Sequence, residues 1–305
     1  MRKPSFALLV VLYASLVGSA ADADDAEARD PTPRTAVISA FQPEWTALQA
    51  KLRDRKDQVI NGTTFATGTI EGKPVVLFLS GISMINAAMT TQLSLDRFHI
   101  DRIVFSGIAG GVNPNLSIGD VVVPDQWSEY LESVFAREEN GRYSLPSYAE
   151  KTLANYGMMF PQPIQIAKDD GSVEKRMWFP VDAQLLAVAK KAVQSTLLKE
   201  CTADKKCLTH QPKIVIGGNG VSGAAFVDNK AFREYAYSTF HAEVLDMESA
   251  AVAHVAHANR TPFIVFRSLS DLAGGGAGAN EMGTFFQLAS DNSAATVAAF
   301  LKALP

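Results

Sequence analysis

The chain has 305 residues, of which 47% are hydrophobic, and carries a net charge of -4 with no basic run. That length supports one large domain with a substantial core. The acidic balance argues against a polyanion such as nucleic acid as partner.

Arg2-Lys3, an apolar run from Phe6 to Val17 and small residues to Ala23 read as a signal peptide over 1–23. The run is too short to span a bilayer stably, so the mature chain is expected to be exported, periplasmic or secreted. Residues 24–34 are acidic and proline-containing and read as a disordered leader. The domain then occupies 35–305. Thr35 to Phe41 reads as a buried strand, and Pro43 suits the first turn of a helix running through Leu48 and Leu52 to a charged end at Lys51 to Asp57. Glu44 thus sits at a strand-to-helix junction. Phe65–Ile70 and Val75–Ser80 are strands joined by the hairpin signature Glu71-Gly72-Lys73-Pro74. A small-residue helix from about Gly81 to Phe98 precedes the strand Arg102–Ser106. There Gly107 to Gly111 lets backbone amides approach a ligand. Val121–Val123 is another strand.

Aromatics scatter without period from Trp127 to Phe179, so about 126–180 reads as an insertion that covers the site or makes a subunit contact. A helix is expected over Asp182–Leu198. Cys201 and Cys207 close a short polar loop, which in an exported chain reads as a disulfide rather than half a metal site; no metal ligand set is expected. Ile214–Gly218 is a strand, and Val221–Asp228 a loop carrying Phe226. Met247, Ala250, Ala251, His254, Val255 and Ala258 recur at helical spacing, with Glu248 at the helix head and His254 and His257 as packing residues. Phe263–Phe266 is a strand covered on both faces, followed abruptly by the polar run Arg267-Ser268-Leu269-Ser270-Asp271. Ligands of open α/β sheets bind beyond the carboxyl ends of strands. Singly, Glu248 and Asp271 read as helix-start and turn residues; together they mark a site. A final amphipathic helix covers about Thr284–Leu304. Strands and helices interleave throughout, so the expected fold is α/β: a single domain with a central twisted mixed β-sheet flanked by helices.

Six segments in order, SAFQPEW, SGISMINAA, FSGIAGGVNPNLSIGDVVVPD, VSGAAFVDN, VLDMESAAVAHVAHANRTPFIVFRSLSDLAG and FFQLASDNSA, resemble the nucleoside phosphorylase and nucleosidase superfamily. The nearest likeness is to the bacterial 5′-methylthioadenosine/S-adenosylhomocysteine nucleosidases. The resemblance implies hydrolysis of the N-glycosidic bond of a purine nucleoside without a cofactor, in a homodimer or higher homo-oligomer. It makes Glu44 the residue that activates water, Asp271 the acid for the purine and Ser270 its positioning neighbour. Met247 and Glu248 hold the ribose, with Arg267 near it and the carboxylates. Phe226 stacks on the base, and the Val227 backbone reads its edge. Ala109 and Gly110 form a glycine-rich wall, and Phe41 and Phe286 surround the 5′ substituent.

The chemistry asks for these residue types. Cleavage passes through an oxocarbenium-like sugar. The departing purine is a poor anion and needs a proton, which a buried carboxyl can supply near neutral pH. Superfamily phosphorylases hold phosphate with arginines; here the matching stretches Phe41-Gln42-Pro43-Glu44 and Phe105-Ser106-Gly107 carry none, so water is the expected nucleophile. A phosphorylase with a displaced phosphate site and a non-catalytic nucleoside-binding or storage protein are the alternatives. Ile108, Asp246 and Ala224 depart from the serine, glutamate and aspartate expected at those positions.

Overall fold

The computed structural model describes residues 29–168, 170–193 and 196–305. Five strands of a twelve-stranded sheet are β1 (Asp30–Ser39), β2 (Arg53–Ile60), β3 (Thr63–Ile70), β4 (Lys73–Leu79) and β5 (Phe98–Gly111). Helices α1 (Gln42–Gln49) and α2 (Met84–Arg97) make two of the connections. β2, β3 and β4 form an antiparallel meander, and β4, β1 and β5 run parallel. Next come β6 (Val121–Val123) and β7 (Gln126–Glu129). Three separate two-stranded sheets follow: β8 (Ser133–Phe135) with β11 (Met159–Pro161), β9 (Arg137–Glu139) with β10 (Arg142–Ser144), and β12 (Ile164–Ala167) with β13 (Val173–Arg176). The chain rejoins the large sheet at β14 (Phe179–Pro180) and continues through α3 (Ala183–Ala192), β15 (Ile214–Ile216), β16 (Asn219–Ser222), α4 (Lys230–Phe240) and β17 (Ala242–Asp246). It ends with α5 (Ser249–Ala258), β18 (Phe263–Asp271) and α6 (Met282–Ala303).

β5 is the pivot of this sheet. β1 lies along its first part as far as Phe105, and β18 runs parallel to it from Ile103 to Gly110. β17 meets its last two residues in the antiparallel sense. The carboxyl end of β1 therefore meets the middle of β5 and that of β18 meets its last residues, where antiparallel β17 also brings Asp246. Side chains of a strand alternate between faces. Ile264 and Phe266 enter one apolar cluster with Val297, Phe300 and Leu301 of α6. Phe263 and Val265 enter the other, with Ala250 and Ala253 of α5. Both faces of β18 are thus covered, and all nine of its residues are buried.

The structure corrects several expectations. Asp30–Arg34, assigned to the leader, begins β1 and pairs with Phe98 and Ile100; the signal sequence over 1–23 and leader residues 24–28 lie outside the described residues. The first helix stops at Gln49, and its charged end is the edge strand β2, where alternating charges face solvent. The Asn61-Gly62 dipeptide, a strong hairpin signal, joins β2 to β3 with both residues at positive φ. The ends of the 126–180 insertion belong to the central sheet, since β7 pairs with β16 and β14. Met247, counted on a helical face, precedes α5. Cys201 and Cys207, by contrast, form the disulfide expected from the sequence.

Candidate active site

β1 ends at Ser39 and α1 begins at Gln42, so the Glu44 side chain folds back over its own helix start. Its Oε2 accepts the N–H groups of Ala40 (2.8 Å) and Phe41 (2.9 Å), and its Oε1 that of Ile108 (2.8 Å) in β5. The Arg267 Nη1 stands 3.9 Å from Oε1. Burial raises the Glu44 pKa against the lowering effects of Arg267 and these three amides.

Arg267 lies in mid-strand in β18 and is 1% exposed. Its guanidinium stacks over Phe105 at 4.2 Å and donates to the Ile108 carbonyl at 3.1 Å. Nε is 2.7 Å from Asp246 Oδ2, and Nη2 is 3.4 Å from Glu248 Oε2. One buried cation thus faces three buried carboxylates. Gly107 makes this possible: a Cβ there would sit 2.0 Å from Arg267 Nη1 and 2.8 Å from Glu44 Oε1.

Asp246 closes β17 and organises the start of α5. Its carboxylate accepts the N–H groups of Glu248 (3.2 Å) and Ser249 (3.1 Å) and the hydroxyls of Ser222 and Ser249. Glu248 accepts the Ser83 N–H at 2.9 Å, and Ser83 holds φ 97°, ψ 153° to present it. That backbone region is costly for a residue with a Cβ, and such strain collects at functional sites. Burial, then the neighbouring carboxylates of Asp246 and Glu44, push the Glu248 pKa up to about 7, although Arg267 and the Ser83 amide oppose them.

Asp271 ends β18, 3% exposed. Its Oδ1 accepts the Ala273 N–H at 2.8 Å, and its Oδ2 accepts from Ser270 Oγ at 2.9 Å. Burial raises its pKa, and these hydrogen bonds counter it. The Ser270 hydroxyl has a second acceptor, the Ala109 carbonyl at 3.5 Å. By turning to that carbonyl it can leave Oδ2 free to hold a proton.

These groups surround one cleft of about 120 Å³. Phe41, Glu44, Ala109, Gly110, Phe226, Val227, Met247, Glu248, Ser270 and Asp271 all line it. Arg267 does not: it lies behind the wall, neutralising the carboxylates. Phe286 is also off the wall and packs edge-on against Phe41, with centroids 5.9 Å apart, while Met282, one turn earlier in α6, lines the cleft. Asp246, Ile82, Ile108 and Leu245 line it as well. Asp246 was legible only as a departure from a pattern, yet an aspartate three residues before Ser249 is an ordinary helix-start signal. Among the described residues, the insertion contributes none to the lining. It braces the walls from outside: Tyr130 packs beneath Gly223 and donates to the Ala225 carbonyl at 3.2 Å. Phe179 stacks on His254, and Glu174 pairs with His257.

Phe226 is 59% exposed although it stands on the cleft. Base–aromatic stacking is worth about 1–3 kcal/mol, so Phe226→Ala should raise the KM for a purine nucleoside about tenfold and leave thermal unfolding unchanged. An equal KM would assign the ring elsewhere.

A profile of the Phosphorylase superfamily matches residues 34–303. The 5′-methylthioadenosine/S-adenosylhomocysteine nucleosidase of Bacillus velezensis is 31% identical over 245 residues, covering 79% of this chain and 87% of that protein. Bark storage protein B of Populus deltoides is 28% identical over 229 residues, 70% of each chain. Among solved structures, a 5′-methylthioadenosine/S-adenosylhomocysteine nucleosidase from Neisseria meningitidis in complex with methylthio-immucillin-A superposes with a TM-score of 0.66 at 25% identity, covering 89% of this chain and 99% of that one. Matched over nearly its whole described length, and with the parallel strands and buried carboxylates of its cleft now in view, this chain belongs to the Phosphorylase superfamily.

Proposed function

We propose that the protein is a purine nucleosidase that hydrolyses the N-glycosidic bond of nucleosides such as methylthioadenosine, S-adenosylhomocysteine or adenosine. The reading rests above all on the position of the Glu44 carboxylate. Converging backbone amides beside a guanidinium make a ready anion site. Here the amides of Ala40, Phe41 and Ile108, next to Arg267, are already taken by a side chain of the same protein. A phosphate dianion would have to displace Glu44 or share its space against like charge. Oε1 has one close donor and retains a lone pair for water. Glu44 then orients and deprotonates the nucleophile, Glu248 accepts from the ribose hydroxyls, and Asp271 protonates the departing base from Oδ2. Ionised Glu44 and Glu248 also place negative charge by the sugar cation as it develops.

Purified protein should release free base and free sugar in phosphate-free buffer. Activity seen only with phosphate would make it a phosphorylase, and tight nucleoside binding without release would make it a binding or storage protein. Glu248 must be ionised to accept from the ribose, and its pKa is raised to about 7. The acid limb of kcat/KM should therefore fall through a midpoint near 7, and a flat profile between pH 5 and 8 would contradict that role.

Ile82, Ile85 and Met89 leave an exposed apolar row at the head of α2, and Ile82 also lines the cleft. This supports a homodimer in which the partner covers the open side, to be checked by sedimentation. Export supplies the oxidising setting that the Cys201–Cys207 disulfide needs. Secretion of the full-length chain with loss of the first residues would test it.

A further inference from the structure

We propose that Asp228 and Asn280, which no part of the reaction above uses, form a positioning couple for Asp271: they fix which carboxyl oxygen carries the proton passed to the leaving base. The inference rests on the nucleosidase reading.

The Asn280 amide is held at both ends. Its Oδ1 accepts the Met282 N–H at 2.9 Å, at the start of α6. This turns its Nδ2 toward Asp228 Oδ1 at 3.0 Å and, at a longer 3.5 Å, toward Asp271 Oδ1. Catalytic hydrogen bonds are often long before substrate binds. With the Ala273 N–H also on Oδ1 at 2.8 Å, two donors point at that oxygen. A proton there would face both of them, so it belongs on Oδ2, beside Ser270. Asp228 supplies the second half of the device. Its charge disfavours the ionised form of Asp271, whereas the Asn280 bond favours it.

The couple is tied to base binding. Asp228 follows Phe226 and Val227 on one loop, and that loop is pressed against the segment after Asp271. Asn229 N–H donates to the Ala273 carbonyl at 3.2 Å, and Gly274, at φ +85°, would place a Cβ 2.4 Å from the Asn229 nitrogen. Charged groups on the adjoining elements are Arg233 of α4, committed to the carbonyls of Gly111 and Asn113, Lys230 of α4, 4.0 Å from Glu234, and exposed Glu281 ahead of α6. Glu44 and Glu248 line the same cleft, with Arg267 behind its wall.

Asp228→Asn and Asn280→Ala change exposed or half-buried side chains, and circular dichroism should show both folded. The measurement is base release against pH for wild type and both variants. In Asp228→Asn the alkaline limb of kcat should move down by about half a unit to one unit, because a like charge is gone. In Asn280→Ala it should move up, with kcat about tenfold lower and KM within about threefold, and Asn280→Gln should recover part of the rate. Limbs that stay with wild type, or that move the same way in both variants as general loosening would cause, overturn the couple while leaving the nucleosidase intact. A wild-type protein that releases no base overturns both readings.

Discussion

Asp271→Asn is expected to lower kcat by about 10²- to 10⁴-fold, the usual contribution of a positioned general acid, while KM stays within a few-fold. The amide keeps the shape of the side chain and can still accept the Ala273 N–H, so the cleft should persist. What it lacks is the acidic proton. Burial raises the Asp271 pKa and holds the acid form toward neutral pH. The alkaline limb of the wild-type rate should therefore report this group, and it should vanish in the variant's residual rate. Steady-state kinetics with isothermal titration of the same nucleoside separates binding from turnover. Unchanged turnover would remove Asp271 from the reaction.

Arg267→Met should be the most destabilising single change near the site. The residue is 1% exposed and neutralises Asp246 at 2.7 Å, Glu248 at 3.4 Å and Glu44 at 3.9 Å. Removing one partner of a buried ion pair typically costs about 3–5 kcal/mol, because the other charge stays behind uncompensated. Burial already raises the pKa values of Glu44 and Glu248 above those of the unfolded chain. Loss of the cation raises them further. The deficit should thus be full above both folded pKa values and shrink as pH falls and the carboxylates take up protons. Urea unfolding at pH 8.5 and pH 5.5 reads the difference directly. Equal loss at both values would mean that Arg267 acts by packing, through its stack on Phe105, rather than by charge.

Much of this protein is written locally. Continuous apolar runs such as Phe263–Phe266 announce strands covered on both faces, and Glu71-Gly72, both at positive φ, turn the chain between β3 and β4. The carboxylates Glu44, Glu248 and Asp271 could be named because each stands at an element boundary, where backbone groups become available to ligands. Other elements were hidden because a short-range pattern competed with a long-range one. β2 is a run of charges, and only its pairing to β3 across Asn61-Gly62 makes it a strand. β17 is five residues long and takes its conformation from β16 and β5.

The roles of Arg267 and Phe286 also depended on the fold. An arginine after an apolar strand looks like a ligand-binding group. Packing between β5 and α5 instead buries it behind the wall, where Gly107 leaves just enough room for its guanidinium. Local sequence determined the strands, the turns and the acidic residues available for chemistry. Tertiary structure alone decided that carboxylates from two distant segments, Glu44 on one and Asp246 and Glu248 on the other, would gather around one cation, since electrostatic neutralisation and desolvation depend on distances in space and not along the chain.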